Sequence, residues 1–213
     1  MFTGLVQEIG KIANVTLVNN KKHVTINCHS LQTGLSIGES VACNGICLTV
    51  ITFNSQTITV EIMNQTIKTT TAYKWTINDT IHLEPAMTLS TRLNGHLVQG
   101  HIDTITKLKN KFKEGNTLYL EFNLPNDYKH LLVDHGSICI DGVSLTIARL
   151  FPDSFQVALI SHTLLLTHLG KLNVNDEVNI EFDIIGKYVQ RQLCKNQKSI
   201  ITEEWVEERL GKR

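Results

Sequence analysis

Residues 44–50 read NGICLTV and residues 141–147 read DGVSLTI, so one seven-residue segment returns 97 positions later with only similar exchanges. Further pairs at the same separation follow in the same order: Thr66 and Thr163, Thr70 and Thr167, Asn78 and Asn175, Asp79 and Asp176, and Glu84 and Glu181. An ordered series of matches at one separation is typical of a duplicated domain. The sequence therefore predicts two copies of one fold.

The two copies account for most of the chain. Its 213 residues are comfortable for two domains of about 90–100 residues each. We place the first domain at 1–90 and the second at 91–185, with a helical tail at 186–213. The segment LVQ at residues 5–7 returns at 97–99, only 92 positions later. The difference predicts a longer loop in the second copy, around residues 107–115.

Alternating apolar and polar residues dominate both copies. Ile58, Val60 and Ile62 alternate with polar neighbours, and residues 118–124 and 178–182 repeat the pattern. Short strands with one buried face, separated by Gly, Asn and Asp turns, predict an all-β fold. About six strands per copy favour a closed antiparallel barrel in each half, because closure removes exposed strand edges. A short turn or a short helix is expected at 65–71 and again at 162–168.

The tail differs in kind from the rest of the chain. Ile185, Tyr188, Val189 and Leu193 have helical spacing and form one apolar stripe. The stripe either covers the bottom of a barrel or meets the same tail in another subunit. Residues 202–210 are predicted to form a second short helix.

Composition excludes several classes of protein. Lys plus Arg and Asp plus Glu each number 20, so no nucleic-acid-binding surface is expected. No apolar run approaches the roughly 18 residues of a membrane helix. The five cysteines form no CxxC pair, which favours reduced thiols. Without the pattern of a secretory signal, the expected location is cytoplasmic.

Cys47 and Ser144 occupy the same position of the repeat, with Thr49 and Thr146 two residues further on, on the same strand face. A small residue chosen for packing explains either one alone. It explains less readily why a thiol and a hydroxyl differ while their neighbours agree. The exchange favours two similar pockets that bind one ligand in two non-equivalent ways.

His96 and His101 are the second candidate site. Residues five apart in a strand point to opposite faces, and no carboxylate or cysteine lies nearby, so no metal site is expected. His96, next to Gly95, is assigned a structural role. His101 follows Gly100, where a ligand can approach closely, and it can exchange protons near neutral pH.

Four segments carry a family resemblance: MFTGLVQ at 1–7, NGICLTV at 44–50, GHLVQGHID at 95–103 and DGVSLT at 141–146. Together they closely resemble riboflavin synthase of the alpha-chain type, over residues 1 to about 193. The resemblance implies two six-stranded Greek-key barrels and a homotrimer assembled through a carboxy-terminal helix. It also implies the dismutation of two 6,7-dimethyl-8-ribityllumazine molecules without a cofactor. One molecule gives a four-carbon unit to the other, which yields riboflavin and 5-amino-6-ribitylaminouracil. An association with lumazine synthase is possible in this family.

The resemblance also implies the residues of the two pockets. Those assigned to the first barrel are Gly4, Leu5, Val6, Ser40, Cys47, Leu48, Thr49, Glu61, Ile62, Met63, Asn64, Gln65 and Thr66. Those assigned to the second barrel are Gly100, His101, Ile102, Ser144, Leu145, Thr146, Ala158, Leu159, Ile160, Ser161, His162 and Thr163.

Roles follow from the same resemblance. His101, with Ser144 and Thr146 nearby, is expected to manage proton transfer from the acidic ring methyl group. Cys47 is expected to add to, or polarise, the partner ring. Two further roles are assigned: Asp183 orients a hydroxyl or activates a water, and Phe2 and Thr3 help to close the site.

Two positions depart from the family pattern. His135 stands where the family often has Lys, and His82 stands where an Asn usually ends the last strand of the first barrel. A histidine at either position is expected to donate a hydrogen bond to a pyrimidine carbonyl, and His135 is predicted to be a binding residue.

Two other functions are compatible with the fold. The lumazine and yellow fluorescent proteins hold one chromophore without turnover, but they lose polar pocket residues that this chain keeps: His101, Ser144 and Thr146. A flavin-dependent reductase barrel is a weaker alternative, because no nicotinamide-binding half follows it.

Overall fold

The protein consists of two closed six-stranded antiparallel barrels and a carboxy-terminal helix, as predicted. The computed structural model describes residues 1–31 and 34–197. The first barrel contains β1 (Glu8–Val18), β2 (Lys21–Asn27), β3 (Ser40–Cys43), β4 (Ile46–Phe53), β5 (Thr57–Ile62) and β6 (Thr80–Pro85). The second contains β7 (Thr104–Glu114), β8 (Thr117–Asn123), β9 (Ser137–Ile140), β10 (Val143–Leu150), β11 (Ser154–Leu159) and β12 (Glu177–Phe182).

Both barrels have the same strand order. The first strand pairs with the second and the sixth, the second with the fifth, and the third with the fourth and the sixth. This non-sequential order is a Greek key. The strands close because each has one apolar face. Ile58, Val60 and Ile62 are fully buried, as are Val157 and Leu159 in the second barrel. Burial of one such side chain stabilises the fold by about 1.5–3 kcal/mol.

The repeated turns fix the orientation of the site strands. Asn44 and Gly45 have φ of 45° and 78°, and Asp141 and Gly142 have 45° and 82°. Two consecutive positive φ values define the two-residue turn that suits a twisted hairpin, and Asn-Gly and Asp-Gly favour it. The turns also touch each other: a Cβ on Gly45 would lie 2.6 Å from the backbone nitrogen of Gly142. The two hairpins therefore meet where the barrels join.

The expected longer loop at residues 107–115 is wrong. This segment belongs to β7, which has 11 residues like β1. The match of residues 5–7 with 97–99 is not structural either, because the backbone of Phe2 pairs with Val98 and the two glycines with similar φ are Gly4 and Gly100. The separation is 96 up to β8 and 97 from β9 onward, so the second copy has one extra residue between those strands.

Buried polar groups join the two barrels around an approximate twofold axis. The Asn179 side chain donates to the carbonyl of Asn44 (2.9 Å) and accepts from the backbone N–H of Thr71 (2.8 Å). His82 is the counterpart of Asn179, and it makes the equivalent pair of bonds. Its Nδ1 lies 2.8 Å from the carbonyl of Asp141, and its Nε2 accepts from the backbone N–H of His168 at 2.8 Å.

His82 therefore replaces an asparagine at the barrel interface and does not face a ligand. Its side chain is 1% exposed and both ring nitrogens are bonded to backbone, so it has no group left for a pyrimidine carbonyl. Its ring stacks on that of His168, with 3.7 Å between the centroids. Burial, followed by the neighbouring His168, holds the pKa of His82 well below 6.5.

The helices follow the sequence predictions. α1 (Asn64–Thr69) and α2 (Ser161–Leu166) occupy equivalent places after β5 and β11. α3 (Ile184–Gln197) leaves its apolar stripe exposed, with Ile185 at 61% and Tyr188 at 64%. The predicted helix at 202–210 lies outside the described residues. No helix in the described part of the chain is long and apolar enough to cross a membrane.

Exchange of His82 tests the interface. We expect His82→Asn to change the free energy of unfolding by less than about 1 kcal/mol at pH 7.5, because an asparagine makes the same two bonds in the other half. His82→Leu leaves a buried carbonyl and a buried N–H unpaired and should lose about 2–4 kcal/mol. Urea unfolding at fixed protein concentration measures both changes.

The lowered pKa of His82 should also make the stability of the wild-type protein depend on pH. Below about pH 6.5 the unfolded chain takes up a proton at His82 that the folded protein does not, so stability is lost as the pH falls. The wild-type protein should therefore lose more stability than His82→Asn between pH 7 and pH 5.5. An equal loss in both would contradict this assignment.

Candidate functional site

The site begins with two glycines that lie against the opposite barrel. The carbonyl of Gly4 accepts from the backbone N–H of Ser144 (2.7 Å), and that of Gly100 accepts from Cys47 (2.9 Å). Both glycines have positive φ, 76° and 82°. A Cβ on Gly4 would lie 2.6 Å from the Cβ of Ser144, and one on Gly100 would lie 2.5 Å from that of Cys47. Only glycine allows this approach.

Two buried glutamates hold the glycine segments in place. Glu84 accepts from the backbone N–H of Thr3 (2.7 Å) and of Gly4 (3.1 Å), and from the Thr3 hydroxyl (2.7 Å). Glu181 accepts from the backbone N–H groups of its own glycine segment, at residues 99, 100 and 101 (2.7, 2.8 and 3.1 Å). Burial raises the pKa of both carboxyl groups, and these N–H donors counteract it in part.

We predicted residues 4–6 in the first-barrel pocket and residues 100–102 in the second-barrel pocket. Within one chain, this assignment is wrong. Residues 4–6 belong with Ser144 of the second barrel, and residues 100–102 belong with Cys47 of the first. Side-chain packing supports this arrangement, since Val6 packs against the core of the second barrel and Ile102 against the core of the first.

A cleft of about 290 Å³ marks the second-barrel site. Its lining combines the crossing segment, the hairpin strand and α2: Gly4, Leu5, Val6, Gln7, Val143, Ser144, His162, Thr163, Leu166 and Thr167. Its lining contains both polar and apolar groups, as suits a flat heteroaromatic ligand with polar substituents.

Other predicted residues fall into two groups. The side chains of Leu48, Ile62 and Leu159 point into the barrel cores, so only their backbone is available to a ligand. Most of the remaining predicted residues lie next to the hairpin strands and are exposed or partly exposed: Ser40, Thr49, Met63, Asn64, Gln65, Thr66, Leu145, Thr146, Ala158, Ile160 and Ser161.

The two sites are not equal in charge. Glu61 lies beside Thr49 on the outer face of the first barrel and pairs with Lys21 (2.8 Å) and His23 (3.1 Å). Its counterpart in the second barrel is Ala158, so a carboxylate in one half corresponds to a methyl group in the other.

The remaining predicted residues have varied surroundings. Phe2 is fully buried between the barrels, in a cluster with Val98 and Cys139, and Thr3 is bound to Glu84. Asp183 accepts from the backbone N–H of Ile185 (2.9 Å) and so caps α3. The side chain of His135 is 76% exposed, and 3.6 Å separate its Nε2 from the Asp134 carboxylate.

Sequence reasoning missed four residues that line the cleft and three that hold or contact the site: Gln7, Val143, Leu166 and Thr167, and Glu84, Glu181 and His96. Glu84 and Glu181 carried a signal, since both belong to the repeat, but a repeated glutamate does not reveal that it binds backbone. His96, assigned a structural role, has its Nδ1 2.7 Å from the Ser144 hydroxyl. Nothing in its local sequence indicates that contact, because Ser144 lies 48 residues away.

Comparison with known proteins agrees with this geometry. The lumazine binding domain family matches twice, at residues 3–86 and 99–183. A structure of LumP complexed with 6,7-dimethyl-8-(1'-D-ribityl) lumazine superposes with a TM-score of 0.76 at 25% identity, covering 85% of this chain and 98% of that one. The fold and site thus define a protein with two lumazine-binding domains.

Full-length relatives narrow the class further. Riboflavin synthase of Bacillus subtilis (strain 168) is 37% identical over 92% of this chain and 91% of its own length. Riboflavin synthase of Saccharomyces cerevisiae is 34% identical over 96% of this chain and 91% of its own length. The chain belongs to the riboflavin synthase family.

Gly100 provides a test of the crossing segments. Gly100→Ala should lower the free energy of unfolding by about 2–4 kcal/mol, because the methyl group meets Cys47 and φ is positive. Gly115→Ala is the matched control: φ is also positive (57°), but nothing lies within 4 Å of the added Cβ. The free energy of unfolding of Gly115→Ala should fall by only about 1 kcal/mol. Equal losses by urea unfolding would contradict the close approach.

Proposed function

We propose that the protein catalyses the dismutation of two 6,7-dimethyl-8-ribityllumazine molecules to riboflavin and 5-amino-6-ribitylaminouracil, without a cofactor. The observation that carries the proposal is the pair of similar but unequal sites, with Cys47 in one and Ser144 in the other. A reaction between two identical molecules needs one to give and one to receive the four-carbon unit. Two copies of one pocket with different polar atoms meet this need.

The reacting pair is proposed to lie between two copies of the chain. Within one chain, each hairpin residue lies against a different glycine segment: Cys47 has residues 100–102 beside it, and Ser144 has residues 4–6. When the first barrel of one copy faces the second barrel of another, His101 and Cys47 approach the Ser144 and Thr146 of the partner site. Holding two rings in register in this way supplies much of the rate.

Each side chain then has a proposed role. His101 is exposed and takes the proton from the ring methyl group. Ser144 and Thr146 bind the ring that loses it, and Cys47 adds to or polarises the other ring. Asp183, at the start of α3, orients a hydroxyl or a water.

We propose that α3 assembles the chain into a homotrimer. Val189 (53% exposed) and Leu193 (56%) continue the stripe of Ile185 and Tyr188 along one side of the helix. Beside it, α3 and the segment 130–137 form a cleft of about 370 Å³. An exposed apolar stripe next to a cleft supports association between copies. An association with lumazine synthase and a cytoplasmic location stay predictions.

Turnover is tested by incubating the purified protein with the lumazine and recording riboflavin absorbance. We expect one riboflavin for every two lumazines consumed. Cys47→Ala and His101→Ala should lower kcat by about 10- to 10⁴-fold with folding retained. A tightly bound chromophore without product would favour a binding protein, and full activity in both variants would remove their roles.

Mixing two inactive variants tests where the site is formed. Cys47→Ala damages the first-barrel site and Ser144→Ala the second, so a mixed oligomer contains some interfaces with both sites intact. After unfolding and refolding together at equal amounts, about a quarter of the wild-type activity should return, because half of each kind of barrel is undamaged. No return above that of either variant alone would place the reaction within one chain.

Charge on the α3 stripe tests the assembly. Val189→Asp with Leu193→Asp should shift the mass measured by light scattering from a trimer to a monomer and lower turnover. Arg191→Asp is the matched control, because it adds a carboxylate to the same helix away from the stripe. Dissociation in both, or in neither, would contradict the proposed interface.

A further inference from the structure

His96, which is buried, contacts the partly buried Ser144 at the second-barrel site. The distance between His96 Nδ1 and Ser144 Oγ is 2.7 Å, and His96 is 8% exposed. The other ring nitrogen, Nε2, is also buried and has no hydrogen-bond partner among the described residues. His96 therefore has one polar contact through its ring, and that contact is the Ser144 hydroxyl.

A closed ring of hydrogen bonds fixes this pair. The backbone N–H of His96 donates to the carbonyl of Thr3 (3.2 Å), whose own N–H is held by Glu84. Glu84 also accepts from Gly4, and the carbonyl of Gly4 accepts from the backbone N–H of Ser144. A side chain at position 95 would collide with Thr3 and Ser144, so the glycine lets the histidine approach.

The environment selects one form of the His96 ring. Burial lowers the pKa of His96, while the negative charge of Asp183 raises it in part, so the ring is neutral at neutral pH. A neutral ring carries its hydrogen on Nδ1 or on Nε2. Because a buried N–H without a partner is rarer in proteins than an unsatisfied acceptor, the hydrogen belongs on Nδ1, where it has Ser144 as acceptor.

This form gives the Ser144 hydroxyl a direction. When Ser144 Oγ accepts from His96, its own hydrogen is free to point into the cleft that Ser144 lines. In the other form the hydroxyl would donate to His96 and present only lone pairs to a ligand. The first-barrel site has no such partner, because no hydrogen bond to the Cys47 sulfur occurs in the described part of the chain.

We propose that His96 is a positioning residue, which holds Ser144 as a hydrogen-bond donor to an acceptor atom, a carbonyl oxygen or ring nitrogen, of the ligand in the second-barrel site. His96 then contributes to the inequality of the two sites together with the exchange of Cys47 for Ser144. The inference rests on the proposed function in that the ligand is the lumazine ring.

Two substitutions at position 96 distinguish the loss of the hydrogen-bond donor from a change in the shape of the side chain. His96→Asn retains an amide nitrogen near the position of Nδ1, and His96→Leu has no donor. We expect His96→Leu to lower kcat/KM by about 5- to 10-fold, the usual effect of one hydrogen bond, and His96→Asn to recover most of it. Equal losses in the two variants would overturn the proposal.

Double-mutant cycles show whether His96 acts through Ser144. In a Ser144→Ala background, His96→Leu should cause no further loss in kcat/KM. In a Cys47→Ala background, which alters the other site, the two losses should multiply. A purely structural role would multiply in both backgrounds, and that result would overturn the proposal.

Two readouts are independent of turnover. The same cycles are measured as changes in Kd for the lumazine, so a protein that binds but does not react would refute the proposed function and still test His96. The ¹⁵N shifts of the His96 ring in the ligand-free wild-type protein, assigned by comparison with His96→Asn, report which nitrogen carries the hydrogen. Hydrogen on Nε2 would overturn the proposal whatever the kinetics of the variants.

Discussion

Both candidate sites depend on a buried carboxylate that binds backbone N–H groups. Glu84 and Glu181 stand at equivalent places in β6 and β12, and each holds the glycine segment that precedes the first strand of its own barrel. A buried charge is tolerated only when hydrogen bonds replace its water, and three donors near each carboxylate do so. The segments are thereby fixed against the opposite hairpin, where Ser144 and Cys47 are found.

The duplication supplies two frames, and a few exchanges make them unequal. The hairpin turns, the glycine conformations and the glutamates are the same in both halves, so the two sites have the same backbone. The differences are in side chains: Cys47 for Ser144, Glu61 for Ala158, and His96 at the second site. At the barrel interface, by contrast, His82 reproduces the two hydrogen bonds of Asn179, so that exchange preserves the geometry.

Much of this could be predicted from the sequence, because repeats and two-residue periodicity report on local structure. Such patterns predict the barrels, the short helices and the turns at Asn44 and Asp141. They also predict that Cys47 and Ser144 occupy equivalent positions in the two halves. The register before β1 could not be predicted, since LVQ matches by chance at the wrong separation. The crossing of residues 4–6 and 100–102 was missed because spacing along the chain does not say which barrel a segment contacts. His96 was missed for the same reason: its partner, Ser144, is brought near by the fold alone.

The crossing segments have a consequence for the origin of the protein. One barrel by itself would carry a glycine segment with no hairpin to lie against and a hairpin with no segment to cover it. Two separate identical barrels that exchanged these parts would satisfy both needs, as a symmetric dimer. Fusion of the two genes would have made that exchange permanent, and only then could one half acquire a mutation that the other did not share.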